Sequence, residues 1–484
     1  SSSGKINIDA AGAASTVSVT GGSGDDTIGM AARLTTNDVI DGGAGTDTLT
    51  MAAASLDKHF TNVKNIETVA YNAATAGVDL DVSKLSSGVT KLVLDVSDAD
   101  EDNAAKLAST VTNLGSQTVS IKHTTADQTD SNDSDGQNYT ITGAVDTDAD
   151  SVTVELDAIG DDANDLGVDL VSVANYETVN LSSKKSTTIT KNVLDALTAT
   201  SATTLNVTGD ADLTIDSISS GALTSIDASA LVGKFVATVG ADKISAKLAT
   251  KDSTLAFGTS LNNDDSVVGG AGTKDEVTAT VTGRDATTGA LTMSAVETLT
   301  LTTSGDNTLD MSGVTGLTSL VVSANTQTIT GYDLPTTTLT ATGAATIKLT
   351  GADTTGAADT FKFAQKLDGD VDNVIEATGI ETLEIEVNDT AATVNVAGFD
   401  LDKFEASTVT YSQNADSSTA VTVNHVETKY HKNVSTVNAT GLKGVLTADA
   451  SDASGSVTFN VQGAGIQTLT GGSAADTFNI GKTV

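Results

Sequence analysis

Two nine-residue stretches carry the most pointed chemistry in this chain. Gly21-Gly22-Ser23-Gly24-Asp25-Asp26-Thr27-Ile28-Gly29 and Gly42-Gly43-Ala44-Gly45-Thr46-Asp47-Thr48-Leu49-Thr50 both fit the pattern G-G-x-G-x-D-x-U-x, where U is a large apolar residue. Glycines permit positive φ, so successive carbonyls can turn inward. The Asp adds charge to a hard oxygen cage of the kind Ca2+ takes with about six to eight ligands. The apolar residue two places later anchors the turn to a sheet. Gly22, Gly24 and Asp26 in the first turn, and Asp38, Gly43, Gly45 and Asp47 around the second, are therefore candidate calcium ligands.

The pattern returns in altered form. Asn263-Asp264-Asp265-Ser266-Val267-Val268-Gly269-Gly270-Ala271-Gly272-Thr273-Lys274-Asp275 has one inserted residue, and Asp265 precedes its Gly-Gly pair by the same four positions as Asp38 does. Asp265, Gly270, Gly272 and Asp275 join the candidates, with Asp242 in the acidic turn upstream. Asp359 in Gly356-Ala357-Ala358-Asp359 and Asp476 in Gly471-Gly472-Ser473-Ala474-Ala475-Asp476 complete the set. The plain alternative is that such turns merely connect strands, with Asp chosen for its turn propensity.

Downstream of the acidic turns come strands of one type: Ile66-Glu67-Thr68-Val69, Tyr176-Glu177-Thr178-Val179, Val296-Glu297-Thr298-Leu299 and Ile380-Glu381-Thr382-Leu383. Strict alternation puts each Glu on the face of the apolar residues, where an ionised carboxylate is costly unless paired, hydrogen-bonded or metal-bound. Glu67 and Glu297 are thus expected either to reach the calcium turns before them or to accept backbone N–H groups at the strand entrance. Gln467 keeps the pattern without the charge.

Other chemistry is poorly supported. The four histidines, His59, His123, His425 and His431, show no H-E-x-x-H spacing, there is no Cys, and no G-x-S-x-G elbow occurs. Asp133-Ser134-Asp135-Gly136 lacks the first and last ligands of an EF-hand loop. These features point away from an enzyme.

The elements that must position the turns follow from composition. The 484 residues include 44 Gly, one Pro, no Trp and 3% aromatics, so the core is expected to rest on Val, Leu, Ile, Ala and Thr methyls. Such side chains suit thin, repetitively stacked β layers. Leu299, Leu320 and Leu339 recur 21 and then 19 residues apart, the spacing of a solenoid in which each turn gives one short strand to a parallel sheet. The expected fold is all-β, a parallel β-solenoid or β-roll with calcium-binding Gly/Asp-rich turns. A first module is expected over 18–235, with an acidic loop insert over about 95–165, a second over 236–465, and the start of a third over 466–484. Ending inside a motif, and lacking a visible signal peptide, the sequence reads as a processed or partial chain.

A net charge of −38 repels nucleic acid and anionic membranes and attracts cations, and no apolar run is long enough to span a bilayer. Absence of Cys fits a surface protein stabilised by other means.

On its GGxGxD turns, ~20-residue strand ladder and xxETL strands, the chain resembles RTX-type bacterial surface-layer proteins. The resemblance implies an extracellular, calcium-dependent lattice at the bacterial cell surface, a homo-oligomer with a cell-surface polysaccharide as a candidate partner, and export through a C-terminal signal. An RTX adhesin is the alternative. A polysaccharide-degrading β-helix would need a basic or aromatic groove, for which 15 aromatics offer little.

Overall fold

The alternation visible in the sequence becomes a stack. In a computed structural model, Ile8, Ile28, Leu49, Val69, Leu92, Val119, Val154, Leu181 and Val207 stand one above another, each register partner of the next across a parallel strand pair. Ile28, Leu49, Val69, Leu92, Val119, Val154 and Leu181 are all 0% exposed, so one column of small apolar side chains forms a continuous core. Thr27, Thr48 and Thr68, the residues before them, lie on the outer face in the same register. β-Branched residues on a pleated, half-buried surface favour this arrangement.

The structure describes residues 4–13, 15–52, 60–73, 77–96, 108–122, 137–147, 149–160, 168–240, 243–282, 291–304, 307–323, 327–332, 337–341, 346–351, 360–365, 374–376, 381–387, 393–395, 406–413, 422–424, 429–463 and 465–481. These residues form strands, turns and two short 3-10 segments, Phe60–Asn62 and Val82–Lys84. No helix among them is long and apolar enough to cross a membrane.

The chain divides into two units, Ser1–Leu255 with Gly270–Gly272, and Ala256–Gly269 with Thr273–Val484. Each is a parallel β-solenoid. In the first, one sheet adds Asn7–Asp9, Thr27–Ala31, Thr48–Ala52, Thr68–Ala73, Lys91–Val96, Thr118–Lys122, Ser151–Asp157, Thr178–Lys184, Thr204–Gly209, Ser225–Leu231 and Ser245–Lys247 in chain order. A second runs from Asp79–Asp81 through Ala108–Leu114, Asn138–Gly143, Val168–Ala174, Lys191–Ala199 and Asp212–Ser219 to Phe235–Val239. Ser18–Thr20, Val39–Asp41 and Val63–Lys64 make a short third.

In the second unit the longest ladder is Glu276–Thr282, Thr298–Ser304, Ser319–Ser323, Thr338–Ala341, Thr360–Gln365, Thr382–Val387, Thr408–Gln413, Thr436–Gly441, Thr458–Val461 and Thr477–Ile480. The Leu299, Leu320, Leu339 spacing is a real register, each Leu facing the next.

Two expectations need correction. The segment read as acidic loops contains the strands Ala108–Leu114, Thr118–Lys122, Asn138–Gly143 and Ser151–Asp157, because Val111, Val119, Ile121, Ile141, Val152, Val154 and Leu156 supply inward residues at period two. The core also holds more than aliphatic side chains: Tyr71, Tyr139, Tyr411, Tyr430, Phe235, Phe257, Phe361 and Phe459 are its largest fully buried members. Most of these aromatics occupy inward positions in the same ladders as the aliphatic residues. Tyr71, for example, sits in register between Met51 and Leu94.

Candidate calcium-turn site

The two full-pattern turns lie directly on one another, one coil apart. Gly21 N–H donates to Asp41 O at 2.8 Å, Ala44 N–H to Gly22 O at 3.1 Å, and Thr46 N–H to Asp25 Oδ1 at 2.8 Å. Backbone lies so close to backbone that a Cβ on Gly43 would sit 2.2 Å from Gly22 O, and one on Gly42 1.9 Å from Asn65 O. Gly43 and Gly45 also have φ of +103° and +128°, where a side chain is strained. Glycine is thus required for close stacking at Gly42 and for both reasons at Gly43.

The carboxylates of these turns form a column. Asp26 accepts from Ile6 N–H through Oδ1 at 2.7 Å and from Gly22 N–H through Oδ2 at 2.6 Å. Asp26 N–H donates in turn to Asp47 Oδ1 at 2.7 Å, and Asp47 N–H to Glu67 Oε2 at 2.8 Å. Glu67 closes the series with its carbonyl, which accepts from Thr90 and Lys91. Each acid therefore holds the N–H at the strand entrance one coil earlier.

Asp38 does the same on the neighbouring edge, accepting Val17 N–H at 2.7 Å through Oδ1 while Oδ2 takes the N–H and hydroxyl of Thr35. Burial works to raise its pKa, but those donors outweigh it and hold the carboxyl below the usual range.

Asp47 behaves in the opposite sense. Burial pushes its carboxyl above the usual range; the Asp26 N–H opposes this, and the charges of Asp26, Glu67 and Asp25 add to it. Its Oδ2 is buried and has no hydrogen-bond partner. A buried unpartnered carboxylate oxygen among three other acids is what a hard cation would relieve.

The entrance-holding arrangement recurs wherever the Glu-Thr pattern is described with its partner. Glu177 Oε2 accepts from Asp150 N–H at 2.9 Å, and Glu297 Oε2 from Asp275 N–H at 2.8 Å. Asp476 Oδ1 accepts from Val457 N–H at 2.9 Å. Gln467 Oε1 accepts from Leu446 N–H at 2.7 Å with a neutral amide, so the bond rather than the charge is the common element. Glu67 and Glu297 do reach the acidic turns before them, and what they grip there is backbone.

The remaining candidates are spread out. Asp265 is buried and accepts from Asn262 N–H at 2.7 Å. Asp275 is buried, and Gly269 beside it packs against Ala295 O. Gly270 and Gly272 lie against Ala249 and Asp252. A Cβ on Gly471 would meet Asp476 Oδ2 at 2.0 Å, a close turn of the same kind. Asp242 and Asp359 fall outside the described residues, as do His59, His123 and His425. His431 is buried, with Nδ1 accepting from Asn433 N–H.

Among the described residues, no three His, Cys, Asp or Glu side chains converge as a metal-binding group. The carboxylate oxygen that a cation would fit is Asp47 Oδ2, buried without a hydrogen-bond partner and close enough to Asp26, Glu67 and Asp25 to feel their charges.

Sequence reasoning had no place for the Glu155 cluster. Glu155 is buried on the outer side of its sheet, accepts from Lys91 Nζ at 2.6 Å and Ser120 Oγ at 3.0 Å, and pairs with Lys184. Burial alone would raise its pKa; Lys184, Lys91 and Ser120 bring it below the usual range. The general entrance device left a signal, an acid or amide immediately before the strand's first Thr, at Asp26, Asp47, Glu67, Glu177, Glu297, Gln467 and Asp476.

No protein-family model matches the chain, and comparison with curated proteins returned no match.

Proposed function

We propose that this chain is a non-enzymatic structural protein of the bacterial cell surface, a calcium-stabilised β-solenoid of the surface-layer type that assembles into a lattice. The observation that carries the reading is the pair of stacked GGxGxD turns with the buried, unpartnered Asp47 Oδ2 inside an acid column. Calcium bound there supplies positive charge to Asp47, with Asp25, Asp26 and Glu67 contributing the surrounding field. The chain's own residues do the rest: Asp26, Asp47 and Glu67 fix the entrances of successive strands, and Gly42 and Gly43 let the coils approach. A formal charge of −38 adds self-repulsion that bound cations lessen.

Thermal melting in excess calcium and in excess chelator tests the reading, since an ion that binds only the folded state stabilises it by mass action. A melting temperature well above the chelator value is expected in calcium. Coincident melts would overturn it.

A further inference from the structure

The ten-strand ladder of the second unit presents an outer face almost free of charge. Its outward side chains begin with Thr278 and Thr280, then Thr298, Thr300 and Thr302, then Ser319 and Val321, then Thr338 and Thr340. Thr360, Thr382, Thr408, Thr436, Thr458 and Thr477 then continue as a single column in unbroken register. Beside its later members runs a second column, Thr410, Asn438, Asn460 and Asn479. Asn479 Nδ2 donates to Asn460 Oδ1 at 2.9 Å, which holds the two amides in one orientation.

Charges on this face are few. Glu276 accepts from the Thr300 hydroxyl at 2.9 Å, and Lys362 pairs with Glu384 at 3.5 Å. Glu386 is the other acid there, and from Thr408 to Asn479 the outward positions of the four strands hold no ionisable group. The longest sheet of the first unit instead carries Lys91, Glu155, Lys184, Asp227 and Lys247 on its strands, in ion pairs.

We infer that this Thr/Asn face is where a second copy of the chain packs, sheet face against sheet face. This rests on the lattice reading above and names the surface that makes it. Two copies each carrying −38 repel wherever acids meet, so the contact is favoured on a face where acids are few, and most of all over its last four strands, which carry none outward. Hydroxyls and amides both donate and accept, so the face is complementary to itself, as a two-fold contact requires. Ten strands at about 4.8 Å spacing and two to three outward columns about 6.6 Å apart give roughly 600–800 Å2 per partner, close to the size of a stable protein–protein contact. A polysaccharide would call for aromatic platforms, and none of the outward residues named here is aromatic.

The test is sedimentation velocity of the full chain in calcium over a concentration series. It compares wild type, the triple variant Thr410→Asp/Asn438→Asp/Asn460→Asp, and a control with the same added charge on outward positions of the first unit, Thr142→Asp/Thr198→Asp/Thr208→Asp. Wild type and control should associate alike, and the face variant should associate at least about tenfold more weakly, since opposed like charges at a contact cost several kcal/mol. Mixing it with Thr410→Lys/Asn438→Lys/Asn460→Lys should restore association. If circular dichroism shows the triple Asp variant misfolded, Asn438→Asp against Thr142→Asp decides in the same way. A face variant that associates like wild type overturns this surface while leaving the lattice reading in place. Wild type that stays monomeric throughout overturns both. Retention of a monomeric chain on insoluble polysaccharide, lost in the face variant, overturns the second copy as occupant.

Discussion

Replacing Glu67 separates the two roles its carboxylate could have. In the structure Glu67 Oε2 accepts Asp47 N–H at 2.8 Å, next to an Asp47 side chain that is 0% exposed. Glu67→Ala removes the acceptor and leaves that N–H without a partner at a buried strand entrance, at a cost of about 1–3 kcal/mol. Glu67→Gln keeps an acceptor oxygen, as Gln467 does for Leu446, and withdraws one of the charges that raise the Asp47 carboxyl. Its expected cost is under about 0.5 kcal/mol, the range of substitutions that leave such features intact. Amide hydrogen exchange reads this locally: about 2 kcal/mol of lost local stability is roughly thirtyfold faster exchange at Asp47, since about 1.4 kcal/mol corresponds to tenfold. In chelator, exchange at Asp47 should accelerate in Glu67→Ala and stay near wild type in Glu67→Gln. Equal acceleration in both variants would show that the charge, not the hydrogen bond, is what the position requires.

Gly42→Ala would place a Cβ 1.9 Å from Asn65 O, so the first coils must separate; the melting temperature should fall as expected for about 1–3 kcal/mol of overpacking, read by calorimetry. Lys91→Ala or Lys184→Ala alone should cost under about 1 kcal/mol, because both heads are partly in water. Together they strand a buried Glu155 at about 3 kcal/mol, a non-additivity that a double-mutant cycle in urea would expose. For acid, Glu155 has a lowered folded pKa, so its contribution is present above the unfolded carboxylate value and lost as pH falls through the folded one. Asp47, raised, has the reverse sign: in chelator its contribution is present below the unfolded value and lost as pH rises through the folded one. Asp47→Asn should therefore flatten the loss of stability on the rising side of that window, measured by denaturant titration across pH 3–6 in chelator, a range set around the ordinary Asp value of about 3.9.

Much of this architecture is legible because a parallel solenoid repeats one instruction. Ile28, Leu49 and Val69 each follow a Thr and precede a small residue, and coils of about 20 residues bring them into register, so period and spacing alone specify the ladder. The strands around Val111 and Ile141 were hidden by the acidic stretches flanking them, whose composition outweighs a few alternating residues when judged over a wide window. At the candidate site, residue type placed Glu67 and Glu297 at the preceding acidic turns. It could not say what their oxygens would meet, because N–H groups and cations both attract a carboxylate. That choice depends on which backbone groups the preceding coil leaves open, a property of stacking. The Gln at position 467 was the one residue whose identity favoured hydrogen bonding over metal.

The central claim is that Asp47 Oδ2 is held for a cation, and calorimetric titration of calcium into the wild-type chain and Asp47→Asn tests it most directly. Asn preserves the acceptor for Asp26 N–H but removes the charge. The account predicts wild-type binding in the weak extracellular range, about 10⁻⁴ to 10⁻³ M, with the heat of one site missing in Asp47→Asn while its circular dichroism matches wild type. Identical calcium isotherms for the two chains would contradict it.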